Sequence, residues 1–381
     1  MKLTVHLLSM LLLIGTAACV EPYTPPASHN TPDYLVVDGF IYLGGDSVAV
    51  KLSHTVALNS TEASAAETGS TVLVEDDAGA SYPLDEYIAG TYKAFSVPLT
   101  TSHTYRLIIR TTTHKEYHSQ YITLKPSPPI DNLYWTASRN GDGVRINVDT
   151  HDATGSSRYY RWRFTETWEY NASYYSSYLL ADGEAVPRPE SESINTCWRT
   201  GSSATILVGT SNRLSGDVIH QFPLQHIPKA SIKLSKKYSI QVEQQVLSDE
   251  AYAYWLSLQR STETLGSLFD PLPSQAHGNL YCVDTPSEAV IGYFGGGSVA
   301  VKRVYILRDD IPSELRSYYP AVCPIDTVFM HELPLIPRST LLLSPVTAPN
   351  GVLLGYTTSD SQCVDCRVWG GGVTQKPDFW Q

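Results

Sequence analysis

The chain has 381 residues, 42% of them hydrophobic and 17% charged, with 25 glycines and 24 prolines. That length and balance support folded domains with sizeable cores and exclude a disordered or collagen-like chain. The formal charge is −11, from 27 Lys and Arg against 38 Asp and Glu. No basic block interrupts the sequence, and phosphate binding needs a positive face, so nucleic acid is excluded as a partner.

The first eighteen residues have the layout of a leader. Met1-Lys2 supplies a short positive start, Leu3 to Ile14 is almost wholly apolar, and Thr16-Ala17-Ala18 places small residues before Cys19. The apolar run is too short to span a bilayer as a mature helix. It fits a signal peptide over 1–18, cleaved before a cysteine whose thiol takes lipid. Residues 19–33 carry Pro22, Pro25, Pro26 and Pro32, the composition of a semi-extended tether. A protein built this way is anchored to a membrane through Cys19 and does not cross it.

From Tyr34 the hydrophobic period becomes two. YLVVDGFIYL, SVAVKLSHT, STVLVED, GTYKAFSVPL, HTYRLIIRTTT and EYHSQYITL are strand-like runs with glycine-bearing turns between them. Their even spacing predicts an immunoglobulin-like β-sandwich over 34–126. Pro126-Ser127-Pro128-Pro129 then marks a boundary. Longer strand-like runs follow, from NLYWTAS and GVRINVDTHD through RYYRWRFTETWEY to SVAVKRVYIL. Ser248-Asp249-Glu250 breaks the pattern with an N-cap and two acids ahead of AYAYWLSLQRSTETLG, predicting one amphipathic helix near 248–265. The chain therefore reads as mainly β: an N-terminal immunoglobulin-like sandwich, then a larger sandwich-like domain over 127–381 carrying that helix and a cysteine-stapled tail.

With Cys19 lipidated, Cys197, Cys282, Cys323, Cys363 and Cys366 remain, an odd count in an exported chain where disulfides are the default. Two bridges among five cysteines allow fifteen arrangements, which the sequence does not separate; the pairings we expect are a staple of the Cys363/Cys366 tail to Cys323 and a second bridge between Cys197 and Cys282. A zinc site would need further close ligands that the sequence lacks, and no cofactor is expected.

No HExxH, GxSxG, GxxxxGK[ST] or SxxK string is present. Gly295-Gly296-Gly297 precedes a strand, which points to a close backbone approach and not to a phosphate loop. The Gly370-Gly371-Gly372 run reads as a flexible turn. The aromatic cluster from Tyr159 to Tyr178 is more informative. On a strand Tyr160, Trp162 and Phe164 point one way, while Tyr159, Arg161 and Arg163 point the other. Tyr170, Tyr174, Tyr175 and Tyr178 flank an Asn- and Ser-rich loop, a composition suited to adaptable binding surfaces.

A set of strings extends along the mature chain: Glu21-Pro22-Tyr23 after the lipobox, LVVDGFI, Pro128 to Asp131, TETWEYNA and Cys197-Trp198. GSLFDPLPSQ from Gly266, His277-Gly278-Asn279, AVIGYF from Ala289 and the Cys363-to-Pro377 ending continue it. Together they resemble the Bacteroidota outer-membrane lipoproteins catalogued as domain of unknown function 4249. The resemblance implies an envelope lipoprotein encoded beside TonB-dependent receptors, with no catalytic residue to carry over. Cys282 departs from the family pattern. The resulting expectation is a non-enzymatic lipoprotein of the outer membrane, on its surface face, that partners a TonB-dependent β-barrel and takes a glycan or peptide ligand. Two alternatives stand beside it: a stand-alone glycan-binding or adhesion lipoprotein, and a hydrolase whose carboxylates the sequence does not single out.

Overall fold

The computed structural model describes residues 33–45, 47–56, 63–212, 216–263, 278–316 and 322–381. The leader, Cys19, the prolines of the tether and the Gly266–Gln275 segment lie outside the described residues. The fold is mainly β, as the alternating pattern predicts. No helix among the described residues is long and apolar enough to cross a membrane.

Alternation in Leu35–Tyr42 buries Leu35, Val37 and Ile41. The antiparallel neighbour Ser47–His54 buries Val48, Val50 and Leu52 on the same side. These side chains meet Tyr105, Leu107 and Ile109 of the strand Thr104–Arg110 in one core. The sheet has ten strands, nine in one continuous path folded over on itself and the short Ile122–Thr123 pairing off it with Thr104–Arg110. The strand Ser81–Ile88 makes the fold: its first half pairs with Thr71–Asp76 and its second half with Thr91–Phe95.

Two strands of this sheet come from far down the chain. Leu280–Cys282 pairs with Glu116–Ser119, and Ile291–Gly297 runs parallel to Leu35–Tyr42. Cys282, Val290 and Phe294 are buried in the N-terminal core. The expected division at residue 126 is therefore corrected, because the stretch from 278 to 297 belongs to the first sandwich. A parallel pair needs a long crossover, and here the connection takes in the rest of the first sandwich and most of the second domain. Glycine permits the close approach at this junction. A Cβ on Gly296 would lie 2.4 Å from Ile41, and Gly292 has φ +131° with the Val37 carbonyl in the space a Cβ would fill.

The second sandwich packs two sheets face to face. One holds Ile130–Ala137, Gly143–His151 and Val218–Pro228; the other is built around Tyr159–Asn171, Lys237–Val246 and Val299–Leu307. Val144, Ile146 and Val148 meet Tyr160, Trp162 and Phe164 in the core, where Trp162 stacks on Phe222 at 4.3 Å. Arg161 and Arg163 fall on the opposite face, as period two requires. The helix Asp249–Glu263 opens as expected, with the Ser248 hydroxyl accepting from the Ala251 N–H at 3.1 Å. It lays Ala251 and Tyr254 against Val208, Leu247 and Tyr293.

A further small sheet of Asp326–Phe329, Leu353–Asp360 and Thr340–Thr347 precedes two short helices, Ser361–Val364 and Cys366–Gly370. The C-terminal cysteines thus lie in helical turns that the sequence pattern did not show.

Candidate functional site

The tyrosines proposed as a binding surface divide sharply. Tyr170 is fully buried: its hydroxyl donates to the Cys366 carbonyl at 3.0 Å and accepts from the Gly372 N–H at 2.8 Å. Its place on the surface is corrected. The tail packs over the end of the strand Tyr159–Asn171, and Gly370 and Gly372 make the close approach to this ring, which replaces the expected flexible turn. Tyr174 donates to the Cys323 carbonyl at 2.8 Å, and Tyr178 packs on Tyr356. Tyr175 alone is largely open, 46% exposed, with its hydroxyl on Glu190. The four do not form one surface.

Cys323 bridges Cys363, in line with the expected staple. Cys197 bridges Cys366, not Cys282, and Cys282 is a buried free thiol in the other sandwich. The proposed Cys197–Cys282 bond is corrected because the two residues belong to different cores. Among the described residues no cluster of three His, Cys, Asp or Glu could hold a metal.

The structure instead brings chemistry together where the two sandwiches and the helix meet, in a cleft of about 260 Å³. Asp38, Phe40, Tyr121, Arg161, Gln245 and Trp255 are among the residues that line it. Arg161 and Gln245 are cross-strand partners, so their side chains stand together on the face turned away from the core. The Arg161 guanidinium lies 3.5 Å from the centre of the Trp255 ring. It forms no hydrogen bond or salt bridge among the described residues, although the Asp38 carboxylate is near enough to favour its charge. Loss of solvation, reinforced by the neighbouring Arg163 charge, pulls its pKa down to about 10. Arg163 differs, for it donates to the Tyr42 hydroxyl at 3.1 Å and approaches Glu243 at 3.5 Å.

Gln245 is 1% exposed, yet neither its amide oxygen nor its amide nitrogen has a hydrogen-bond partner among the described residues. Its neighbour Gln244 points into the core and is fully satisfied. Gln244 accepts from the Trp162 indole at 2.9 Å and donates to the Pro128 carbonyl and the Thr150 hydroxyl, at 2.9 and 3.0 Å. A buried amide without partners is costly and uncommon in folded proteins. The arrangement offers a ligand a planar cationic fork, an adjacent donor–acceptor amide, a carboxylate and aromatic walls. Sequence reasoning placed Arg161 on the outward face but did not select it. The paired glutamines in IQVEQQV were the available signal, because one of two adjacent strand residues must face outward.

A family model described as Domain of unknown function (DUF4249) matches residues 20–303. No curated protein is matched by the sequence. The matched stretch includes every residue named above as lining the cleft, and it covers most of the chain. The chain belongs to this family of unknown function.

Proposed function

We propose that this chain is an outer-membrane lipoprotein, anchored through Cys19, that binds a ligand without transforming it and serves as accessory to a TonB-dependent β-barrel receptor. The observation that carries the reading is the cleft, where Gln245 and Arg161 stand side by side with no hydrogen-bond partner for either side chain among the described residues. Buried groups left unpaired in this way are complementary to something that arrives from outside. The lipobox, the proline-rich tether and the family resemblance support the envelope location. Tethering adds a physical advantage, since it raises the effective concentration of a captured ligand beside its receptor.

The test is affinity purification of the tagged full chain from gently solubilised outer membranes, with mass spectrometry of what is retained. The expected result is a β-barrel receptor at near-stoichiometric yield. Recovery of the lipoprotein alone, under conditions that keep known envelope complexes intact, refutes the accessory role.

A further inference from the structure

The cleft's unpaired groups define the chemistry of what would satisfy them. Arg161 offers only donors, in a fork whose geometry matches a carboxylate. Gln245, its cross-strand partner, offers one acceptor and two donors, so the complementary group must both donate and accept. A peptide unit does both, and in a peptide it lies next to the terminal carboxylate. Asp38 lines the same cleft, is exposed, and forms no ion pair among the described residues, which suits an ammonium group. The contact between Arg161 and the Trp255 ring occupies the indole face that a sugar would stack on. A cavity of about 260 Å³ is close to the lower end of small-molecule sites, roughly 300–1,000 Å³, and admits a short ligand.

We propose that the cleft binds a short peptide by its free C-terminal carboxylate, with Arg161 on the carboxylate, Gln245 on the adjoining peptide group and Asp38 facing the amino end. This rests on the ligand-binding reading above and names its ligand class.

Isothermal titration of the detergent-solubilised full chain tests it with four probes: Ala-Ala, Ala-Ala amide, N-acetyl-Ala-Ala and glucuronate. Ala-Ala is expected to bind saturably in the submillimolar range, its amide at least tenfold more weakly and its acetylated form several-fold more weakly. Arg161→Gln and Gln245→Met should each weaken Ala-Ala at least tenfold, and Arg161→Lys should restore part of the loss. Equal affinity for Ala-Ala and its amide overturns the assignment. So does glucuronate binding without dipeptide binding, or silence from all four probes. Recovery of the barrel is a separate readout. If it persists while peptide binding fails, the peptide assignment falls alone; if it fails while peptide binding persists, the accessory role falls alone.

Discussion

Two adjacent glutamines in one strand should respond to the same substitution with opposite signs. Methionine is unbranched and similar in length, so Gln→Met removes the amide while keeping most of the packing. At Gln244 the change leaves the Trp162 indole N–H unsatisfied and removes one of two hydrogen bonds at both the Pro128 carbonyl and the Thr150 hydroxyl. An unsatisfied buried group costs about 1–3 kcal/mol and each ordinary lost hydrogen bond about 0.5–1.5 kcal/mol, so Gln244→Met should lose about 2–6 kcal/mol. At Gln245 no hydrogen bond is lost, because both amide atoms are already unpaired. Gln245→Met should then gain about 1–3 kcal/mol in the unliganded protein. Urea titrations of both variants and the parent, followed by tryptophan fluorescence, give the midpoints to compare. A midpoint for Gln245→Met that falls alongside that of Gln244→Met would refute the reasoning, since it would mean the Gln245 amide is already engaged. A higher midpoint with weaker ligand binding is the signature of a group kept for recognition at the expense of stability.

Other elements make equally definite predictions. Gly292→Ala drives a Cβ into the Val37 carbonyl and should cost about 3 kcal/mol or more; a loss under about 1 kcal/mol, read by thermal unfolding, contradicts the close approach. Thiol labelling should leave Cys282 untouched in the native protein and modify it in urea without reductant, while Cys197, Cys323, Cys363 and Cys366 react only after reduction. A Cys197–Cys282 linked peptide in the non-reduced digest contradicts this map. Tyr170→Phe removes both hydrogen bonds at the phenol oxygen and should cost about 1–3 kcal/mol, with the Cys366 segment showing the largest rise in hydrogen exchange.

His54 carries a pH prediction. Partial burial opposes its charged form, but the carboxylates of Glu67 and Asp33, each 2.7 Å away, outweigh that and raise its pKa above 6.5. The stability contributed by the raised pKa is fully present below the unfolded value near 6.5 and is lost as pH rises through the folded value. Ring titration by NMR should show the elevated pKa in the parent and a fall in Glu67→Gln. A parent value at or below 6.5 contradicts the geometry.

What the sequence made legible is what depends on near neighbours along the chain. Alternation placed Tyr160, Trp162 and Phe164 inside and Arg161 and Arg163 outside, because successive strand residues face opposite ways. Ser248 announced the helix start through a local capping bond. Pairings between distant segments were not legible. Nothing in IGYFGGG states that it lies parallel to LVVDGFIY, although the glycines marked that something comes close. The Cys197–Cys366 bridge spans 169 residues of separation, and composition carries no information about which cores two cysteines join. Tyr170 failed for a related reason. Its loop-side neighbours made it look superficial, and the tail that covers it lies about two hundred residues downstream.

The strand Tyr159–Asn171 joins these observations into one mechanical argument. Arg161 stands near its beginning, in the cleft, and Tyr170 near its end, under the disulfide-held tail. About nine residues of extended chain separate them, roughly 30 Å. A one-residue slip of this strand would turn Arg161 into the core and Trp162 into the cleft. At the far end, Tyr170 faces Cys197 across the ladder, and Cys197 is bonded to Cys366 beneath the same tail. At the near end, the parallel strand Ile291–Gly297 fixes the first sandwich against the second, bringing Asp38 to the cleft opposite Arg161. The register that sets Arg161 beside Gln245 is thus held at both ends by structure outside the cleft. Recognition geometry needs that support, since a binding group loses affinity when its backbone can shift. The long-range ties are what allow two costly unpaired side chains to wait in position.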